Sequence, residues 1–189
     1  MKKIVLFASG NGSNVENIIQ YFKNNSNVSV VGVFSNNENA KVLERAKNHG
    51  IHSDCFSKTE LFEGAILEKI SALNPDLIVL AGFLLKFPEH IIVEYPNKII
   101  NIHPALLPKF GGKGMYGKRV HQAILDNKEK ETGITIHYVN EHYDEGEFIL
   151  QKTVNIEDCQ NADEIATKVL ELEHKHFPET IEKLLTHNS

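Results

Sequence analysis

The stretch DLIVLAG, residues 76–82, decides the fold class of this chain. Its apolar run is continuous and ends at a glycine, which is typical of a strand buried on both faces of a parallel sheet. Further strand-like runs lie on either side of it, at residues 4–8, 28–36, 51–57 and 97–103. Apolar residues at helical spacing occupy the segments between them, at 13–22, 39–50 and 60–73. This alternation predicts an α/β fold with an open, doubly wound, mainly parallel sheet.

The pattern changes after residue 130. Residues 132–140, TGITIHYVN, alternate in character, and a second strand-like run, EFILQKTVNI at 147–156, follows after a short connection. Two strands this close together predict a hairpin or a late antiparallel strand at the end of the sheet. A long helical segment that continues beyond Pro178 ends the chain. We expect residues 1–189 to form a single domain.

The composition of the 189-residue chain is that of a globular protein, with 41% hydrophobic and 24% charged residues. The net charge of −5 and the lack of a basic run argue against nucleic-acid binding. No apolar stretch approaches the roughly 20 residues of a membrane span, and the first one is too short for a signal peptide. Cys55 and Cys159 are far apart and the ten histidines are scattered, so no metal site is predicted. We expect a cytoplasmic protein.

A glycine-containing loop separates the first predicted strand from the first predicted helix. Gly10 and Gly12 permit tight turns there. The backbone amides of Gly12, Ser13 and Asn14 would open the helix, and such N–H groups bind phosphate. The glycine pattern is neither Gly-x-Gly-x-x-Gly nor a Walker loop, which favours one phosphate over a dinucleotide. A purely structural interpretation remains open, because Ser13 and Glu16 have the spacing of a capping box.

Two polar residues interrupt the apolar character of NIHPALLPKF, residues 101–110. Asn101 and His103 share one strand face and stand at the carboxyl end of a predicted strand, where open α/β sheets bind ligands. An Asn amide can stabilise an oxyanion, and a His can transfer protons near neutral pH. We expect Pro104 and Pro108 to stiffen the chain after this strand. An isolated His, however, is more often a buried residue that satisfies a loop.

A carboxylate near His103 would favour the catalytic interpretation. Asp144 lies between the two late strands and can approach His103 if the hairpin borders that central strand. Such a carboxylate orients the imidazole and raises its pKa. The spacing does not single out Asp144, since Glu141, Glu145 and Glu147 are rival carboxylates in the same segment.

Four stretches together resemble the phosphoribosylglycinamide formyltransferase family of folate-dependent enzymes. They are FASGNGSN at 7–14, DLIVLAGF at 76–83, NIHPALLPKF at 101–110 and HYVNEHYDEG at 137–146. The similarity extends through LELEHKHFPE, residues 170–179, and so covers nearly the whole chain. The Asn-x-His-Pro-x-Leu-Leu-Pro motif is specific to the formyltransferase superfamily, while the Gly-Ser-Asn loop and the compact length indicate its glycinamide branch.

The resemblance implies a formyltransferase-like fold and a reaction in purine synthesis. The amine of 5-phosphoribosylglycinamide takes the formyl group of the co-substrate 10-formyltetrahydrofolate, in a monomer or a homodimer and without a metal. His103 is implied to transfer protons, Asn101 to steady the oxyanion, and Asp144 to raise the pKa of the histidine. The implied phosphoribosylglycinamide-binding residues are Gly12, Ser13, Asn14, Leu170, Glu171, Leu172 and Glu173. The implied folate-binding residues are Lys58, Leu84, Leu85, Lys86, Phe87, Asn101, Asn140, Glu141, His142, Tyr143 and Asp144.

The segment GGKGMYGKRVH, residues 111–121, is longer than the matching loop in many members of the family. Its glycines predict a mobile lid. The cations Lys113, Lys118 and Arg119 could meet the substrate phosphate or be solvated, and we favour solvation, which is the usual state of such side chains.

Three other functions are open to a chain with this motif. Methionyl-tRNA formyltransferases share the Asn-x-His-Pro motif but need a further domain and a cationic surface for tRNA, which we do not expect here. Formyltetrahydrofolate hydrolases share the three catalytic residues but usually carry an additional N-terminal regulatory domain. A non-catalytic mononucleotide-binding module would keep the glycine loop and make Asn101, His103 and Asp144 incidental. The joint occurrence of those three residues argues against the last alternative.

Overall fold

The computed structural model describes residues 1–187 and contains one sheet of seven strands. The strands are β1 (Lys2–Phe7), β2 (Val28–Ser35), β3 (Ser53–Cys55), β4 (Leu77–Leu80), β5 (Ile99–His103), β6 (Glu131–Tyr138) and β7 (Phe148–Asn155). Their order across the sheet is β3-β2-β1-β4-β5-β6-β7. The first five strands pair in parallel, whereas β6 and β7 are antiparallel. The predicted fold class is therefore confirmed. The single domain that we expect spans residues 1–189, of which residues 188–189 lie outside the described part of the chain.

The helices cover both faces of this sheet. They are α1 (Ser13–Phe22), α2 (Lys41–Asn48), α3 (Lys58–Phe62), α4 (Ala65–Leu73), α5 (Glu89–Glu94), α6 (Lys118–Asp126) and α7 (Ala162–His187). Alternate residues of β1 point to opposite faces, so that Ile4 and Leu6 pack with α1, α2, α6 and α7, while Val5 and Phe7 pack with α3, α4 and α5. Two apolar cores thus enclose the sheet. Within residues 1–187, none of the helices combines the length and apolar character that a membrane span requires.

Three parts of the helical pattern differ from the sequence-based expectation. The segment 60–73 is two helices rather than one, because Gly64 adopts φ +100° and α4 begins after it. The capping box that starts the first of them is formed by Ser57 and Glu60. Neither α5 nor α6 was expected, and α6 occupies part of the segment that looked like a lid.

Helix α7 runs without interruption through Pro178. A proline has no N–H to donate, so the carbonyl of His174, four residues earlier, loses its helical partner. Asn17 of α1 replaces that partner, because its Nδ2 donates a hydrogen bond to the His174 carbonyl at 2.7 Å. The proline site therefore becomes a point of attachment between α1 and α7.

Helix α1 does not begin with the capping box that the spacing of Ser13 and Glu16 suggested. Gly12 is the N-cap, with φ 73° in the left-handed region, and no side chain caps the helix. Glu16 instead forms an ion pair with Arg45 and a hydrogen bond with Nε2 of His49 at 3.3 Å. The capping box at Ser13 and Glu16 is therefore wrong. A β-carbon at Gly12 would lie 2.4 Å from a methyl group of Val42, so the approach of α2 requires a glycine at this position.

We predict that Gly12→Ala lowers the free energy of unfolding by roughly 2–4 kcal/mol, through left-handed strain and overlap with Val42. Urea unfolding followed by circular dichroism measures this difference. Gly10→Ala is the matched control, because a β-carbon there meets nothing within 4 Å. Equal stabilities of the two variants would contradict the assigned role of Gly12.

Candidate active site

The loops that follow the central strands meet at one edge of the sheet. The chain leaves β1 toward β2 and β3 and then returns to β4 on the other side of β1, so the order of strands reverses there. Ser9 joins these loops, since its hydroxyl donates to Asn36 Oδ1 at 2.6 Å and accepts from the Leu84 N–H at 3.0 Å. A cleft of about 730 Å³ opens beside this point and extends along the carboxyl ends of β4 and β5.

His103 lies at the end of β5, and each of its two ring nitrogens faces a polar atom of the protein. Its Nε2 lies 2.8 Å from the carbonyl oxygen of Phe110. Because a carbonyl only accepts, Nε2 carries a proton, and Nδ1 is the basic nitrogen of the neutral ring. That Nδ1 lies 3.6 Å from Oδ2 of Asp144. His103 and Asp144, whose proximity the sequence alone did not establish, are therefore neighbours.

Burial governs the proton affinity of His103, whose exposed fraction is only 3%. Burial lowers the pKa of His103 below its ordinary value, while the charge of Asp144 and the Phe110 carbonyl raise it without outweighing burial. The expectation that Asp144 raises the pKa of His103 is thus correct for its own contribution, while burial decides the net direction. A neutral imidazole at neutral pH follows, which is the form that accepts a proton.

Asp144 is an anion held in a half-enclosed position. The N–H of Gly112 donates to its Oδ2 at 2.9 Å, and Nε2 of His137 lies 3.7 Å from its Oδ1. Burial raises the pKa of Asp144, but the neighbouring rings of His137 and His103 and the Gly112 amide together outweigh burial and hold that pKa below its usual range. The carboxylate is therefore ionised at neutral pH and ready to stabilise a positive charge on His103.

His137 is a site residue that the sequence reasoning treated only as part of an alternating strand. Its Nδ1 donates to the carbonyl of Tyr138 at 2.8 Å, and its Nε2 lies 3.2 Å from Nδ2 of Asn101. Nε2 of His137 is therefore within hydrogen-bond distance of the amide of Asn101. An amide group has two N–H donors, so the second remains for a ligand in the cleft. The signal that could have identified His137 is its register opposite Asn101, which only the paired strands reveal.

Two polar side chains hold the loop that follows His103. The Thr135 hydroxyl donates to the Ala105 carbonyl at 2.8 Å and accepts the Leu107 N–H at 3.0 Å. Gln151 Nε2 lies 2.9 Å from both the Leu107 carbonyl and the Thr135 hydroxyl. Because Thr135 is paired with His103 across β5 and β6, the loop is fixed directly beside the histidine. The two prolines of the motif are therefore assisted by hydrogen bonds from the hairpin.

One half of the cleft lies between α1 and α7. Asn14, Leu170 and Glu173 line it, whereas Gly12, Ser13, Glu171 and Leu172 are outside its lining. Asn14 Nδ2 donates to Glu173 Oε2 at 2.7 Å. Burial raises the pKa of Glu173 to about 7, although the hydrogen bond from Asn14 lowers it. Of the predicted ribonucleotide-binding residues, Asn14 and Glu173 thus form a hydrogen-bonded pair inside the cleft, beside the N-terminus of α1.

The other half of the cleft is formed by the segments after β4 and β6. Its lining includes the predicted residues Leu84, Leu85, Lys86, Phe87, Asn140, His142 and Tyr143. Lys58 is absent from the lining, and its ammonium lies over the Phe62 ring at 6.0 Å. Glu141 is also outside and lies 3.6 Å from the ring of exposed His142. The structure therefore groups the predicted folate residues except these two.

The glycine-rich segment 111–117 borders the cleft from Gly112 onward. Lys113 and Arg119 line the cleft, and the guanidinium of Arg119 lies over the Tyr116 ring at 5.4 Å. Lys118 instead pairs with Asp163 at 2.8 Å on the exposed surface. All three cations are exposed, as the sequence favoured, and Lys113 and Arg119 lie at the cleft as well.

The chemistry available in this cleft is that of hydrogen bonds and proton transfer. In the part of the chain that the structure describes, no group of three or more His, Cys, Asp or Glu side chains is arranged to hold a metal ion. The neutral imidazole of His103, the free N–H of Asn101 and the anion of Asp144 stand at the boundary of the two halves. Such a site can deprotonate a nucleophile and stabilise an oxyanion.

Comparisons with known proteins agree with this geometry. A family model described as formyl transferase matches residues 2–181. Phosphoribosylglycinamide formyltransferase of Bacillus subtilis (strain 168) is 37% identical over 195 residues, covering 100% of this chain and 97% of the relative. The chloroplastic phosphoribosylglycinamide formyltransferase of Arabidopsis thaliana is 36% identical over 187 residues, covering 95% of this chain. The chain spans 64% of the length of that plant relative, which is less than two thirds.

A solved structure extends the similarity to three dimensions. The crystal structure of phosphoribosylglycinamide formyltransferase from Anaplasma phagocytophilum superimposes with a TM-score of 0.90 at 31% identity. The superposition covers 98% of this chain and 88% of that chain. The likeness therefore includes the late antiparallel strands as well as the parallel part of the sheet.

We predict that Thr135→Val destabilises the protein by about 1–3 kcal/mol, because the buried Leu107 N–H loses its partner while the shape is kept. Chemical unfolding gives the difference. Thr153→Val, at an exposed position of β7, is the control and should change the stability by less than about 0.5 kcal/mol. A Thr135 variant as stable as this control would show that the hydroxyl does not hold the loop.

We predict a pH-dependent gain in stability from Glu173→Gln. The folded protein resists ionisation of Glu173, since its pKa is about 7 instead of 4.5. Stability contributed by the neutral acid is therefore lost as the pH rises from the unfolded pKa through about 7. The variant should match the parent near pH 4.5 and exceed it at pH 8 by on the order of 2–3 kcal/mol.

Urea unfolding at both pH values measures this effect, with Glu171→Gln as the control on the exposed side of the same helix. A stability difference between Glu173→Gln and the parent that is the same at both pH values would argue against a raised pKa.

Proposed function

The chain belongs to the formyl transferase family, and we propose that it transfers the formyl group of 10-formyltetrahydrofolate to the amine of 5-phosphoribosylglycinamide in purine biosynthesis. The observation that carries the proposal is the convergence of Asn101, His103 and Asp144 at the boundary of a two-sided cleft. Two of these residues come from one strand and the third from a distant loop. The names of the relatives from Bacillus subtilis and Arabidopsis thaliana support the same reaction.

The two halves of the cleft suit the two substrates. We propose that the ribonucleotide lies between α1 and α7, with its phosphate at the N-terminus of α1 and its ribose near Glu173. The folate would lie against the apolar segment Leu84–Phe87 and the segment 140–144, which supply a wall and polar groups for a heteroaromatic ring. The amine and the formyl carbon then meet beside Asn101 and His103.

The reaction begins with loss of a proton from the substrate ammonium. Neutral His103 is the base that we propose, since its Nδ1 is unprotonated and burial keeps its pKa low. The negative charge of Asp144, 3.6 Å away, stabilises the imidazolium that results. The freed amine lone pair attacks the formyl carbon and forms the carbon–nitrogen bond of a tetrahedral intermediate.

The second part of the reaction releases the folate. In the intermediate, the former formyl oxygen carries a negative charge, and the remaining N–H of Asn101 donates to it. As the carbonyl re-forms, the bond between the carbon and folate N10 breaks. The attacking nitrogen loses its surplus proton to water, the folate nitrogen takes up the proton held by His103, and tetrahydrofolate and the formylated glycinamide leave. His103 therefore both accepts the first proton and delivers it to the folate, and no covalent enzyme intermediate is needed.

The decisive experiment follows the absorbance of the folate with and without phosphoribosylglycinamide. Formyl loss that requires the glycinamide is the expected result. Formyl loss in its absence would indicate a formyltetrahydrofolate hydrolase, and no loss under either condition would indicate a binding module. The cytoplasmic location and the monomeric or homodimeric state stay predictions; one relative is named as chloroplastic.

We predict that His103→Ala abolishes turnover, lowering kcat by at least about 10²-fold, because the proton acceptor is lost. Circular dichroism should show an unchanged fold, since the strand end tolerates a smaller side chain. Activity close to that of the parent would remove His103 from the mechanism.

We predict that Asp144→Asn lowers kcat and moves the acid limb of the pH–rate profile to lower pH. The carboxylate raises the pKa of His103, so its removal lets the histidine stay neutral in more acidic solution. Initial rates between pH 5 and 9 measure the shift. An acid limb that stays in place, or moves upward, would mean that another group controls this histidine.

A further inference from the structure

His121 is a buried polar residue of the cleft for which the reaction described above has no use. It is the fourth residue of α6, lines the cleft, and is only 7% exposed. Its Nδ1 is fully buried and has no hydrogen-bond partner within the described residues. Buried polar atoms in native proteins are almost always paired, so this nitrogen requires an explanation.

A second unpaired atom lies in the same cleft. Oδ1 of Asn14 is buried and, like Nδ1 of His121, has no partner among the described residues. Asn14 lies on the α1 side of the ribonucleotide half, and one N–H of its amide already donates to Glu173. Helices α1 and α6 both pack against α7, which supplies Leu170 and Glu173 to the lining. Two unsatisfied polar atoms therefore flank the same helix at the cleft.

Two further buried atoms without a partner lie outside the cleft and allow a comparison. Nε2 of His90 and Nε2 of His174 are also buried without a partner, but neither side chain lines the cleft. An unpaired histidine nitrogen is thus not by itself a sign of a ligand in this protein. What distinguishes His121 is its place in the lining of a cleft large enough for a ligand.

The surroundings of His121 indicate which kind of group it can bind. Burial lowers the pKa of His121, and the neighbouring ring of His103 lowers it further, so the His121 ring is neutral at neutral pH. A neutral imidazole offers one donor and one acceptor. That pair suits a hydroxyl or an amide, which also donate and accept, better than an ionised phosphate, whose oxygens only accept.

We infer that His121 is a substrate-binding residue that forms a hydrogen bond with a neutral hydroxyl or amide group of phosphoribosylglycinamide. The inference rests on the proposed function and adds to it a residue on the ribonucleotide side. It assigns to the first turn of α6 a share in recognising the ribose and glycinamide part of the substrate, separate from the phosphate site at α1.

The test compares His121→Leu with His121→Asn in the full-length chain by steady-state kinetics. The leucine variant should raise KM for phosphoribosylglycinamide roughly three- to tenfold, the size of one neutral hydrogen bond. The asparagine variant restores a hydrogen-bonding group near the position of Nδ1 and should recover part of that loss. The KM for 10-formyltetrahydrofolate and kcat should stay within about twofold of the parent.

His90→Leu is the matched control, since it removes a buried histidine with an unpaired nitrogen outside the cleft. Its KM values should equal those of the parent. If His121→Leu does not fold, as judged by circular dichroism, His121→Phe fills the space of the ring and replaces it in the comparison.

Two results would overturn the inference while leaving the proposed function intact. One is an active parent whose KM for phosphoribosylglycinamide is unchanged in His121→Leu. The other is an equal rise in KM for both substrates, which would indicate a general disturbance of the cleft. A parent protein without glycinamide-dependent formyl transfer would instead overturn the proposed function, and the inference with it.

Discussion

The half-enclosed carboxylate of Asp144 is the constraint on which the arrangement of the site depends. A carboxylate removed from water is costly unless polar groups surround it. The Gly112 amide from the glycine-rich segment, His103 from β5 and His137 from β6 together provide that environment. Three separate parts of the chain are thus held around one charge, and the cleft acquires a fixed negative group beside its proton acceptor.

The antiparallel hairpin makes this meeting possible. In the register of β5 and β6, Asn101 stands opposite His137 and His103 opposite Thr135. A slip by one residue would turn every one of these side chains to the other face of the sheet. The polar groups of the hairpin therefore do two things: His137 orients the amide of Asn101, and Thr135 fixes the loop that follows His103.

Burial acts on the ionisable groups of the cleft in different directions. It keeps His103 and His121 neutral by lowering their pKa values, and it raises the pKa of Glu173. Asp144 resists the same effect because His137, His103 and the Gly112 amide outweigh it. The ribonucleotide half of the cleft consequently offers neutral hydrogen-bonding groups, and the folate half offers an apolar wall. The anion of Asp144 lies where the two halves meet.

The sequence by itself determined the α/β class, the late antiparallel strands, and the position of Asn101 and His103 at a strand end, because apolar periodicity is local and reports which faces are buried. The glycine pattern also located the N-terminus of α1, although the true cap is Gly12, held by its contact with Val42. The break at Gly64 and the short helices α5 and α6 escaped detection, since short elements carry little periodic signal.

Only the tertiary structure decided which carboxylate meets His103, that His137 and His121 belong to the cleft, and in which direction the pKa of His103 moves. Strand register and depth of burial depend on contacts between residues far apart in the chain. Neither quantity is encoded in the spacing of the residues that form the site.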